Sequence, residues 1–317
     1  MAKEKQYDIV IVGGGPGGLT AGLYGARAER KTIVLEKLTP GGQIANTDEV
    51  EDYPGFEKIS GVELAMKMTE HAKGFGLEIA AEEVVEIYVD GDDRVVRCAS
   101  GDTYRARAVI LSTGGSPVKL GVPGEREYTG RGVSYCAICD GAFFKGQVIA
   151  VVGGGDAAVE EATFLTKFAS KVHIIHRRDA LRAARVIQSR AFNNEKIEII
   201  WDTIVESVNG NGTRVTDLSL KNVTTGDKSS LQVGAVFPFL GFRPNSNITR
   251  EALRTNQAGY IVTDEKMETS IKGIYACGDV RAQLVRQITN AVGDGTTAAV
   301  AADKYIEELE DRQAHGK

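Results

Sequence analysis

Tyr7-Asp8-Ile9-Val10-Ile11-Val12-Gly13-Gly14-Gly15-Pro16-Gly17-Gly18-Leu19-Thr20-Ala21 joins a short Val- and Ile-rich run to a segment rich in small residues. An unbroken apolar run of that length reads as a buried parallel strand, and the residues after the glycines read as a helix packed on it. Within Gly13-Gly14-Gly15-Pro16-Gly17-Gly18 the first, third and sixth positions are glycine. The first permits a tight turn, the third lets backbone approach a pyrophosphate, and the sixth lets the helix lie close to the strand. Thr32-Ile33-Val34-Leu35-Glu36 follows as the next strand, and its last residue stands 23 positions after Gly13. A carboxylate there can accept a hydrogen bond from an adenosine 2′-hydroxyl.

The same pattern recurs 140 residues later in Val151-Val152-Gly153-Gly154-Gly155-Asp156, with Ala158 at the sixth position. Lys171-Val172-His173-Ile174-Ile175-His176 is the strand beyond it, and the 23-residue spacing from Gly153 falls on His176, followed by Arg177, Arg178 and Arg182. An acid at this place would repel a 2′-phosphate, whereas arginines hold one with charge-assisted, bidentate hydrogen bonds. The second site is therefore expected to take NADPH in preference to NADH. Two dinucleotide sites imply electron traffic, so the first is expected to hold FAD. Gly41-Gly42-Gln43, Thr113-Gly114-Gly115 and Gly278-Asp279 supply further backbone-exposing segments, with Asp279 suited to a ribityl hydroxyl.

Hairpins are expected at 84–99 and 204–220, one in each half. Together these elements read as an α/β protein of two Rossmann-like FAD/NAD(P)-binding domains, the second inserted in the first, each with an antiparallel β insertion. The expected boundaries make 1–118 and 246–317 the FAD domain and 119–245 the NADPH domain, the latter carrying Cys136 and Cys139. Gly293, Gly295 and the small residues after them suit a helix from about Thr296 to Leu309.

The composition agrees with this reading. The chain of 317 residues holds 37 glycines, against about 22 at ordinary usage, without collagen or linker periodicity. A net charge of -5 argues against a nucleic-acid partner, because phosphate binding calls for a basic face. The uncharged stretch from Ile9 to Ala26 carries seven glycines and Pro16, which disqualifies it as a membrane span. Four cysteines are too few for a disulfide scaffold, and Met1 to Gln6 lacks signal-peptide character, so a cytoplasmic location is expected.

Cys136-Ala137-Ile138-Cys139-Asp140-Gly141 is a C-x-x-C that can close a small disulfide ring. No metal is expected, because neither Cys98 nor Cys277 has a partner at ligand spacing and His173 and His176 point to opposite strand faces. Redox use of Cys136 and Cys139 is the better reading, with Asp140 placed to protonate a departing thiolate. Cys98 and Cys277 read as small buried hydrophobes. The acidic turn Asp90-Gly91-Asp92-Asp93 lacks the downstream glutamate of a calcium loop.

With these motifs in this order, the chain resembles the low-molecular-weight thioredoxin reductases over nearly its whole length. The resemblance rests on Gly13 to Gly18, Gly41-Gly42-Gln43, Cys136 to Gly141, Gly153 to Asp156, His176 to Asp179, and Gly278-Asp279 followed by Arg286-Gln287. It implies a homodimer in which NADPH reduces FAD, FAD reduces the Cys136–Cys139 disulfide, and the dithiol reduces thioredoxin. It also implies that Pro16, Gly17, Lys37, Arg286, Gln287 and Ile288 join the FAD site and Asp156 and Ala157 the NADPH site. The alternatives are a dithiol oxidase or a slow flavin redox sensor on the same scaffold; the oxidase would have no need of Arg177 and Arg178.

Overall fold

The computed structural model describes residues 3–46 and 50–315, with the side chains of Asn46, Cys139 and Phe242 outside what it describes. The chain divides into two compact units, Met1–Ser116 with Arg243–Lys317, and Pro117–Phe242. The crossings thus fall two and three residues before the expected ones.

The first unit opens with β1 (Glu4–Val12), α1 (Pro16–Arg27), β2 (Thr32–Glu36), α2 (Gly61–Gly74) and β3 (Glu78–Ala81). It continues through β4 (Val84–Asp90), β5 (Asp93–Cys98), β6 (Thr103–Leu111) and β7 (Gly115–Pro117). Its main sheet runs β3-β2-β1-β6-β5-β4. β1 lies parallel to β2 and β6, with Val12 opposite both Leu35 and Leu111, while β5 and β4 fold back antiparallel on β6. Because strand side chains alternate, Ile9, Ile11, Val34 and Ile110 join the core on one face, and Val10, Val12, Ile33 and Leu35 that on the other.

The second unit contains α3 (Glu125–Tyr128), α4 (Ala137–Asp140), β8 (Val148–Gly153), α5 (Asp156–Leu165) and β9 (Lys171–Ile175). After α6 (Arg185–Phe192) and β10 (Ile197–Ile200) come β11 (Thr203–Gly210), β12 (Val215–Asn222), β13 (Lys228–Gln232) and β14 (Ala235–Phe239). β10-β9-β8-β14 form a parallel sheet, and β11-β12-β13 a separate meander. β13 extends the expected hairpin to three strands; its sequence Lys-Ser-Ser-Leu-Gln is almost wholly exposed and carries no apolar alternation. Pro238 is accommodated because β14 is the outer strand of its sheet.

The chain then passes through β15 (Phe242–Pro244), which pairs with β7, and β16 (Ile274–Ala276), which adds to β6 beside the first unit's sheet. It ends in α7 (Ile288–Ala314). This helix starts eight residues earlier than expected and ends five later. Gly293 and Gly295 argue against helix on propensity alone. Packing overrides that cost at Gly295, where a Cβ would sit 2.2 Å from the Gly17 carbonyl oxygen, so the glycine permits α1 and α7 to touch through backbone. Among the described residues no helix is long and apolar enough to cross a membrane.

Candidate functional site

In the first unit β1 ends at Gly13, whose φ is +102°. A Cβ there would lie 2.2 Å from the Ser112 carbonyl oxygen, and one on Gly18 would lie 2.0 Å from the Gly13 carbonyl oxygen. The fold itself therefore demands both glycines. Gly15 differs: the nearest heavy atom to a Cβ would be the Gly42 Cα, 4.0 Å away. Gly15 caps α1 without any side-chain bond, and Pro16 occupies the first turn of the helix, so free amides at a positive dipole end face open space, as an anion requires. The Gly41 amide donates to the Gly14 carbonyl at 2.7 Å, laying the 41–42 turn along the same opening.

Glu36 Oε2 accepts from the Gly14 amide at 2.7 Å and Oε1 from the Leu38 amide at 2.9 Å. The carboxylate is thus held at the turn by its own backbone, and its remaining lone pairs are available to a ribose hydroxyl. Lys37 is exposed and sits 3.9 Å from Glu83. Thr113 Oγ1 donates to the Asn245 carbonyl at 2.7 Å, Asn245 Nδ2 returns a bond to the Thr113 carbonyl at 2.9 Å, and the Asn245 amide donates to Gly114. Sequence reasoning missed Asn245, which locks the Thr113-Gly114 segment.

Gly278 and Asp279 follow β16 directly. Asp279 has no hydrogen-bond partner among the described residues; burial pushes its carboxyl up, with Arg286 opposing and Asp294 adding to the rise. The Arg286 guanidinium stacks 4.0 Å over the Tyr260 ring. Gln287 is the extended residue before α7, and Ile288 begins that helix and packs with Ile44, Val50 and Leu64. A partly buried carboxylate without a protein partner and a glycine cradle open at Gly15 fit an extended dinucleotide with a hydroxylated chain. Asp294 was also missed. The buried positions 291, 294, 295, 298 and 302 of α7 form one helical stripe of small residues, and the lone carboxylate in it was the available signal.

The second unit repeats the turn. A Cβ on Gly153 would lie 2.4 Å from the Phe239 carbonyl oxygen, whereas one on Gly155 would meet nothing within 4 Å. Gly155 caps α5 without a side-chain bond. The His176 ring is 5% exposed and lies against Gly154, where a Cβ would be 2.3 Å from Cε1. Its Nε2 donates to the Ala180 carbonyl at 3.0 Å, and its edge meets the Trp201 ring. Burial pushes the imidazole pKa down, Arg182 and Arg178 add to that, and carbonyl contacts at Ala180 and Gly153 oppose it. His176 is thus a prop beneath the turn, while Arg177, Arg178 and Arg182 are exposed and pair with no described side chain. The Arg182 amide donates to the Gly154 carbonyl at 2.7 Å and the Ala184 amide to Asp156 Oδ1 at 2.6 Å, which ties the arginine loop to the glycine turn. Ala157 is exposed in the first turn of α5.

Cys136 is disulfide-bonded and stands just before α4. Its amide donates to Ser134 Oγ at 3.1 Å, and its carbonyl accepts from the Asp140 amide at 3.2 Å. The side chain of Cys139 lies outside the described residues, and Asp140 is half-buried at the end of the same turn. Glu125, another residue missed, accepts from the Leu120 and Gly121 amides, each at 2.7 Å, and from the Tyr135 hydroxyl, anchoring the segment that leads into Cys136. Cys98 and Cys277 are free and buried, and burial pushes both thiols up to about 12, which leaves them inert. Asp90 and Asp93 pair with Arg105, and Asp93 also with Arg107, in keeping with a structural turn. No cluster able to hold a metal ion occurs among the described residues.

Residues 7–295 match the model of the family described as pyridine nucleotide-disulphide oxidoreductase. A curated relative, the thioredoxin reductase of Bacillus subtilis, is 49% identical over 311 residues covering 98% of each chain. The crystal structure of Lactococcus lactis thioredoxin reductase is similar with a TM-score of 0.93 at 48% identity, over 95% of this chain and 99% of the other. A ferredoxin-flavin thioredoxin reductase from Clostridium acetobutylicum is more distant, with a TM-score of 0.53 at 30% identity over 96% of this chain and 99% of that one.

Proposed function

The chain belongs to the pyridine nucleotide-disulphide oxidoreductase family, among its thioredoxin reductases, and from that premise we propose that it moves electrons from NADPH to thioredoxin through a Cys136–Cys139 dithiol. The observation that carries this reading is the conjunction, in one unit, of a disulfide-bonded Cys136 and a βα turn flanked by three unpaired arginines. Gly155 and the free amides of α5 would receive the pyrophosphate, and Arg177, Arg178 and Arg182 the 2′-phosphate. FAD, held by Gly13, Gly15, Glu36, Gly41, Gly42, Thr113 and Asp279, would supply the two-electron relay between nicotinamide and disulfide.

Reduction adds two electrons and two protons to the Cys136–Cys139 disulfide and leaves two thiols. One thiolate then attacks the thioredoxin disulfide to form a mixed disulfide, and the second thiolate releases reduced thioredoxin and restores the ring. Asp140, one residue beyond the C-x-x-C, is the proton donor for the departing thiolate. The Ser134 hydroxyl steadies the backbone of Cys136 from both sides, since its oxygen also lies 3.3 Å from the Cys136 carbonyl. Resemblance implies a homodimer in the cytoplasm.

The test is steady-state NADPH oxidation with thioredoxin as acceptor. Cys136→Ser should lower turnover by at least about a thousandfold, since the exchange step loses its sulfur. Retained turnover in that variant would sink the proposal. A donor such as ferredoxin, as in the distant clostridial relative, would leave the three arginines without a role.

A further inference from the structure

The polar run Val280-Arg281-Ala282-Gln283 looks out of place beside a flavin, yet its side chains are turned inward on one network. Asp294 on α7 is 7% exposed. Its Oδ1 receives Arg281 Nη1 at 2.8 Å and its Oδ2 receives the Gly278 amide at 3.0 Å. Arg281 Nε donates to Thr263 Oγ1 at 3.0 Å, and Gln283 Nε2 donates to the Gly278 carbonyl at 3.1 Å. Gly278, the first residue of the turn Gly278–Val280, is therefore gripped at both its amide and its carbonyl. Gly278 has φ +71°, a left-handed conformation that glycine adopts freely and would leave freely without such a grip.

Buried ion pairs add little net stability, because desolvation offsets attraction and an apolar pair of like volume often serves as well. An apolar pair would hold α7 in place but could not accept the Gly278 proton. That points to geometry rather than stability as the reason for the pair, and the residue whose direction the turn sets is Asp279. Burial chiefly raises the Asp279 pKa, Arg286 opposes that, and Asp294 adds to the rise.

We propose that the Arg281–Asp294 pair is a positioning device for the FAD site, fixing the Gly278–Val280 turn so that the Asp279 carboxylate meets a ribityl hydroxyl. This rests on the FAD reading above. Neither residue of the pair needs to touch the cofactor.

The experiment dilutes the FAD-loaded protein and reads released flavin by fluorescence, for wild type, Arg281→Lys, Asp294→Asn and the double variant Arg281→Met with Asp294→Leu. The double variant should stay folded, with a thermal midpoint lowered by the unpaired Gly278 amide, and release FAD with at least a tenfold higher dissociation constant. Arg281→Lys, which keeps the charge, should stay within threefold of wild type. Adding Asp279→Ala to the double variant should cost no more than Asp279→Ala alone, because the pair acts through Asp279. A stable double variant that binds FAD within twofold of wild type, or losses that add in full, would overturn the proposal. Should the double variant not fold, Asp294→Asn, of the same shape, decides in its place: unchanged FAD affinity overturns the proposal. Wild-type protein that binds no FAD would bring down the functional reading and this inference with it, whereas a result confined to the variants bears on the pair alone.

Discussion

The two glycine turns share a backbone requirement and differ in what stands behind them. In each, the first glycine lies where a Cβ would strike a backbone carbonyl, that of Ser112 just past β6 in one unit and of Phe239 at the end of β14 in the other, and the third opens onto empty space. The second glycine, which the motif's usual rationale ignores, is packed in both by the residue at the end of the second strand. Glu36 closes the first turn by accepting from the Gly14 amide, and His176 fills the second by lying against Gly154. The end of the second strand thus supports the turn and sets the charge beside it. In the second unit those jobs are divided: His176 supports, and the arginines after it carry the charge.

The contrast between first and third glycines is broken most severely by a methyl group. Gly13→Ala combines a positive φ with a 2.2 Å approach to a carbonyl oxygen, and should lower stability by about 3 kcal/mol or more. Gly155→Ala has φ -92° and open space around the new Cβ, so stability should change by less than about 1 kcal/mol. Its effect should fall on NADPH, with KM rising about tenfold if a pyrophosphate approaches the backbone there. Urea melts together with NADPH kinetics separate the two outcomes. Equal destabilisation by both substitutions would show that the third glycine also belongs to the fold.

The division of labour in the second unit yields the next effect. Removing two charge-assisted contacts with Arg177→Ala and Arg178→Ala should raise KM for NADPH by about a hundredfold. KM for NADH should stay nearly constant, because NADH lacks the 2′-phosphate. Parallel titrations with both nucleotides check this, and equal losses for both would remove the arginines from 2′-phosphate recognition. His176→Gln, by contrast, should impair both nucleotides alike, since a prop beneath the turn does not distinguish them.

Both βα units were legible because their signals are local. The strands Thr32–Glu36 and Lys171–Ile175 are short apolar runs bounded by turn residues, and the glycines encode backbone approach without reference to the rest of the chain. The hairpins at β4–β5 and β11–β12 were readable from their turns, while β13 was not, because an exposed polar strand has no pattern. The start of α7 was hidden by Gly293 and Gly295, and the meaning of Gly295 depends on Gly17 of α1, some 280 positions away. Long-range partners explain the missed residues of the site as well. Asn245 acts on Thr113 across 132 positions, and Asp294 on Gly278 and Arg281 across a helix start. Spacing locates His176, whereas the direction of its ring, laid against Gly154, depends on packing that spacing does not encode.

In the first unit the equivalent support can be loosened without adding bulk. Glu36→Gln keeps the shape but replaces one carboxylate oxygen with a donor that cannot accept from either the Gly14 or the Leu38 amide. FAD affinity should fall about tenfold, in line with one charged hydrogen bond lost. Flavin release on dilution measures it, and unchanged release would confine Glu36 to turn closure.

The smallest effect concerns protons, and it belongs to the second unit. Burial pushes the pKa of both His176 and His173 down in the folded chain, with Arg178 and Arg182 reinforcing the shift at His176, and Glu198 opposing while Lys171 reinforces it at His173. Unfolded, each imidazole titrates near 6.5. Below that pH the unfolded chain takes up protons that the folded chain refuses, so stability is fully present above about 6.5 and declines as pH falls toward the folded values. The slope cannot exceed about 1.4 kcal/mol per pH unit for each imidazole. Urea melts at pH 7.5 and 5.5 should show this loss, reduced in part by His176→Gln and further by adding His173→Gln. The intact loss persisting in the double variant would assign it to other groups and leave His176 as a prop whose burial carries no charge penalty.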